Sequence, residues 1–114
     1  MFKQLTQMTG LLGKLPQLKE EFAKFQAKAP TIIAEGKAGA DYVCVTVNGK
    51  FVVTSCRISD EAMKLNDREM LEDLVKAATN QAIEKVRGLL AAEANRVAEE
   101  LDLPPGLNLQ ELLG

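Results

Sequence analysis

No histidine occurs anywhere in this 114-residue chain, which removes the commonest general base and the commonest metal ligand together. There is no tryptophan and a single tyrosine, Tyr42, so any core must be aliphatic. The two cysteines, Cys44 and Cys56, fit no Cys-x-x-Cys or zinc spacing. No apolar run approaches the ~18 residues of a membrane span. The start, Met1-Phe2-Lys3-Gln4, does not read as a secretion signal. Two cysteines without such a signal fit a reducing cytosol. Neither charge sign dominates: the net charge of −2 is neither the basic excess of a typical DNA-binding domain nor an acidic tail. These absences predict a cytoplasmic protein with no cofactor, no metal, no membrane partner and no small-molecule substrate. No nucleophile–base pair can be assembled, so an enzyme is not expected.

The charge that is present is uneven. Residues 1–57 carry 8 Lys+Arg against 4 Asp+Glu, a net of +4, and residues 58–114 carry 6 against 12, a net of −6. Such asymmetry fits a binding face on one half, or contacts between opposite halves of two copies.

A helical pattern runs from about Asp67 to about Leu101, roughly 50 Å at the α-helical rise. A compact domain of this size has a radius of gyration of only about 13 Å. The helix must project or lie along a partner, which predicts a homodimer. Its apolar positions Leu71, Leu74, Ala78, Ala82, Val86 and Leu89 are the expected dimer seam, or core, with alanines that allow close approach. Asn66 is the expected N-cap, with Glu69 three residues on, and with Leu65 and Met70 as a hydrophobic staple. Gly88 marks a bend or a close helix contact. Glu69, Glu72 and Asp73 sit where the helix dipole favours carboxylates, which explains them without a metal.

Upstream, Leu11, Leu15, Leu18, Phe22, Phe25 and Ala29 form a heptad-like stripe. Pro16 either opens this helix or kinks a longer one that starts near Phe2. The period then changes to two. Residues 31–37, 42–47 and 51–58 read as strands, with Val43, Val45 and Val47 on one face. Asn48-Gly49 predicts a two-residue hairpin turn that pairs Val45 with Val52. Cys56 then shares the Val45 face and Cys44 does not, which disfavours a disulfide. Ser59-Asp60 opens a short helix.

The fold class is therefore α+β, of order α-β-β-β-α, with a three-stranded antiparallel sheet and a long C-terminal helix. Residues 1–114 read as a single domain. Its parts are an N-terminal helical arm (1–30), the sheet (31–58), a short helix plus the long one (59–103), and a tail (104–114).

Cations are the only candidate chemistry. Lys3, Lys14, Lys24 and Lys28 fall within about 80° of one another on a helical wheel, at 100° per residue. Such a row can neutralise phosphates with release of counterions. It can equally be a solvated face, since Glu20 and Glu21 stand one turn before Lys24. If Pro16 opens the helix, Lys3 and Lys14 leave the row. On the long helix Lys85 and Arg87 have the fewest acidic neighbours. Nothing here reads a base edge.

Several stretches together resemble the YbaB/EbfC family of bacterial nucleoid-associated proteins. These are Gln4-Leu5-Thr6-Gln7-Met8, Val45-Thr46-Val47-Asn48-Gly49, Glu69-Met70-Leu71-Glu72-Asp73-Leu74-Val75, Ala77-Ala78, Asn80-Gln81-Ala82 and Leu103-Pro104-Pro105-Gly106. The resemblance implies a tweezers-shaped homodimer that binds duplex DNA with little sequence preference. It implies a role in nucleoid organisation or gene regulation, with neither catalysis nor cofactor. The alternative is a dimeric adaptor whose exposed helical stripes bind another protein.

Overall fold

The computed structural model describes residues 2–102, with side chains from residue 13 onward. The side chains of Lys3 and Leu11, and the tail at 104–114, lie outside the described residues. Helix α1 spans Phe2–Lys28 with Pro16 inside it. Pro16 therefore does not open the helix, and the Lys3, Lys14, Lys24 and Lys28 positions share one element. A 3₁₀ turn, Ala29–Thr31, follows. Strands β1 (Ile33–Ala38), β2 (Val43–Asn48) and β3 (Val53–Ile58) come next, then α2 (Asp60–Lys64) and α3 (Arg68–Glu100). The order is the α+β order expected from the sequence.

Two compact units divide these elements. One lies within Ala29–Leu90, and the other joins α1 to the described residues from Ala91 onward.

In the first unit the sheet is antiparallel, in the order β1-β2-β3. Val43, Val45 and Val47 are buried, as their alternation requires. They pack on the side where α3 places Ala78, Ala82 and Val86, which are 0% exposed. Gly36 shows how close the approach is. A Cβ built there would strike the carbonyl oxygen of Ala78 and stand 2.6 Å from the Ala82 nitrogen. Backbone thus lies on backbone, which only glycine on β1 and alanine on α3 permit.

The turns differ from expectation. Asn48-Gly49 is not a two-residue turn. Val45 pairs with Cys56 and Val43 with Ile58, and the register shifts by one between Thr46 and Val47. The loop is longer. Phe51 N–H donates to the Asn48 carbonyl at 2.9 Å, and Asn48 N–H to the Val52 carbonyl at 3.0 Å. The Asn48 side chain accepts from the N–H groups of Lys50 and Val52. Gly49 is needed because a Cβ would strike the Ala29 carbonyl oxygen, not because of a positive φ. Three consecutive positive φ values fall instead on Gly39, Ala40 and Asp41, and the last two are the central positions of a turn closed by Tyr42 N–H on the Gly39 carbonyl, where a type I′ turn has them. Cys56 keeps the Val45 face, since the slip is even, and both cysteines are free.

The cap of α3 also moves. Asp67 Oδ1 accepts from Met70 N–H at 3.0 Å, so Asp67, not Asn66, is the N-cap. Asn66, at φ 52°, ends α2 in the left-handed conformation, a position that suits asparagine as well as a cap does. Ser59 caps α2 through a bond from Ala62 N–H.

In the second unit α1 runs antiparallel to the end of α3. Leu18, Ala98 and Leu101 pack around Ala94 and Val97. Lys14 Nζ donates to the Asp102 carbonyl at 2.8 Å, and Lys28 Nζ to Glu93 Oε1 at 3.2 Å.

Gly36→Ala should cost about 3 kcal/mol of unfolding free energy, because rigid backbone must yield to one methyl group. Gly88→Ala is the control. Gly88 has nothing within 4 Å of its Cβ position, so neither a close contact nor a clash exists there, and the change should add about 1 kcal/mol. Urea denaturation of both variants measures the contrast.

Candidate nucleic-acid interface

Most of the cations predicted to meet DNA have partners within the chain. Lys24 pairs with Glu20 at 3.6 Å and Glu21 at 3.4 Å. Glu21, then Glu20, holds its pKa above the ordinary lysine value. Lys28 joins a cluster at Glu93, which also accepts from Arg96 Nη2 at 2.6 Å. The Arg96 hydrogen bond, aided by Lys28 and opposed by burial, lowers the Glu93 carboxyl below its usual 4.5. Arg96 is correspondingly raised, chiefly by Glu93, and also pairs with Glu100 at 2.5 Å. Lys14 caps the Asp102 carbonyl. Arg87 pairs with Glu84 at 3.6 Å.

Lys85 has a different task. Its Nζ donates to the Glu35 carbonyl at 2.8 Å, while Gln81 Oε1 accepts from Lys37 N–H at 2.7 Å. Both are outward backbone groups of β1. Side chains of α3 therefore close the β1 edge of the sheet, which blunts it against further strand pairing.

The β3 edge has no such cover. Among the described residues, no hydrogen bond reaches its outward backbone groups. Val53, Cys56 and Ile58 share the face of buried Val47, Val45 and Val43 yet are exposed, as are Met63 and Leu65 just beyond. The expected seam residues lie elsewhere. Ala78, Ala82 and Val86 are wholly buried against the chain's own sheet. Leu71 and Leu74 are half-buried, with Leu74 over the β1–β2 turn at Gly39, and Leu89 is exposed.

Among the described residues, Lys19, Lys50, Arg57 and Lys64 are exposed cations that make no ion pair. None of the four is among the cations that the sequence pattern assigns to DNA. One signal for two of them exists in the sequence: residues 42–59 contain no acid, yet carry Lys50 and Arg57. Among the described residues no group of three or more His, Cys, Asp or Glu could hold a metal ion. No described helix is long and apolar enough to cross a membrane.

Comparison with known proteins adds an independent finding. A nucleoid-associated protein of Granulibacter bethesdensis is 38% identical over 102 residues, covering 90% of this chain and 95% of its own. One from Mesorhizobium japonicum is 33% identical over 102 residues, with the same coverage. A crystal structure of an uncharacterized Helicobacter pylori protein superposes with a TM-score of 0.59 at 28% identity, over 68% of this chain and 82% of that one. The profile of the YbaB/EbfC DNA-binding family matches residues 3–101, and the chain belongs to that family.

Proposed function

We propose that the chain is a homodimer that binds duplex DNA by neutralising its phosphates, with little sequence preference and no catalysis. Its place is the nucleoid, in DNA organisation or gene regulation. The observation that carries this reading is the family match across residues 3–101, in a family defined by DNA binding. The charge pattern supports the phosphate part. Lys19, Lys50, Arg57 and Lys64 can meet phosphates without giving up an ion pair among the described residues. Lys14, Lys24, Lys28, Lys85 and Arg87 must first exchange one. For exposed pairs such as Lys24–Glu20 the penalty is small, since solvent screens the attraction and ordering two long side chains offsets it. The sequence shows no arginine cluster and no multi-residue aromatic stacking platform, so charge and DNA shape dominate the affinity.

The seam we assign to the open side of the sheet. Strand β3 offers unpaired backbone groups along one edge, and Val53, Cys56, Ile58, Met63 and Leu65 add exposed apolar surface beside it. Two copies joined there would each supply what the other lacks. Leu71, Leu74 and Leu89 remain available to extend such a seam.

Fluorescence anisotropy of a labelled duplex tests the DNA reading. Affinity should fall steeply between about 50 and 200 mM salt. Lys19→Glu with Arg57→Glu should flatten the slope by about one for each phosphate no longer neutralised. Salt-independent binding, or none by a folded dimer, would contradict it and favour a protein adaptor. Light scattering tests the seam. The native chain should have twice the chain mass, and Ile58→Asp should halve it; a native monomer would sink the dimer.

A further inference from the structure

Among the described residues, five non-glycine positions have positive φ: Ala40, Asp41, Phe51, Asn66 and Asp102. Asn and Asp tolerate the left-handed region, and alanine is small. Phe51, at φ 61°, is the bulky one, and its Cβ crowds the following carbonyl oxygen there as glycine would not. The turn requires the conformation. The Asn48 carbonyl accepts from Phe51 N–H, and the Asn48 side chain holds Lys50 N–H and Val52 N–H on either side. Glycine would satisfy this geometry without strain.

Burial does not explain the phenylalanine. The residue is 49% exposed at the tip of the β2–β3 turn. A half-exposed aromatic in a strained conformation is a candidate for use outside the fold. Its neighbour Lys50 is an exposed cation with no ion pair among the described residues. No acid occurs in residues 42–59, in a chain whose net charge is −2. The tip is thus locally cationic with an apolar point. Anionic duplex DNA fits that combination: phosphates for the cation, and the sugar-and-base wall of the minor groove for the ring. Apolar wedges beside cations act in this way in minor-groove binders, where they unstack a base step and bend the duplex.

We propose that the β2–β3 turn meets DNA, with Phe51 as a minor-groove wedge and Lys50 on a flanking phosphate. The proposal rests on the DNA reading above and adds a bend to it. Phosphate neutralisation alone predicts salt-dependent binding to an undistorted duplex, whereas a wedge predicts deformation.

The test compares the native chain with Phe51→Gly, which suits the left-handed position and so folds. A duplex of about 30 base pairs, labelled at both ends, reports affinity by anisotropy and bending by end-to-end energy transfer at about 50 mM salt. Phe51→Gly should keep its oligomeric mass and melt no lower than the native chain. It should bind roughly five- to a hundredfold more weakly, the range for an aromatic stacked on a base, and the bend should vanish. Unchanged affinity and bend would overturn the proposal while leaving the DNA reading intact. A lower melting point or a halved mass would make Phe51 a packing or seam residue and also overturn it. Failure of the native chain to bind duplex would remove both readings together.

Discussion

The close approach of Gly36 to the α3 backbone governs the sheet unit. With no Cβ on β1 at that point, Ala78 and Ala82 bring α3 down until backbone meets backbone. At that distance Gln81 and Lys85 reach the outward groups of β1, and that edge is closed. The same placement leaves β3 without cover. Val53, Cys56 and Ile58 face the helix side of the sheet yet stay open to solvent. One edge sealed and one edge open is the asymmetry from which the proposed pairing follows. A sheet this small gains from further strands, and an open apolar edge is a hazard unless something pairs with it.

Charge is divided between fold and surface in a similar way. Lys14 and Lys28 tie α1 to the end of α3, and Lys85 ties α3 to β1. These cations serve the fold first. Two of the four cations with no ion pair among the described residues, Lys50 and Arg57, lie where acids are missing, within residues 42–59. A protein with a net charge of −2 can still present a positive face to DNA if its acids are engaged in internal pairs. Glu20, Glu21, Glu84 and Glu93 are engaged in this way.

How much of this is legible in the residues alone depends on the range of the interaction. The Val43, Val45 and Val47 alternation and the long pattern of α3 can be read directly, because each depends on one element's own period. The N-cap of α3 lies one residue from its expected place, because Asn66 and Asp67 are both good caps and the end of α2 claims the first. Asn48-Gly49 misleads for a deeper reason. A glycine signals either a positive φ or a close neighbour, and here the neighbour, Ala29, comes from the preceding 3₁₀ turn. The lysine row is visible, but not its partners at Glu93 and Asp102, which lie 65 and 88 residues away. The strain at Phe51 has no signal, since phenylalanine is an ordinary strand residue.

Whether β3, rather than β1, is where a second copy joins is tested most directly by amide hydrogen exchange resolved along the sheet. The outward amides of β3 should exchange as slowly as those of β2 at high protein concentration, and should lose that protection on dilution. Rapid exchange along β3 at every concentration, beside a protected β2, would contradict it.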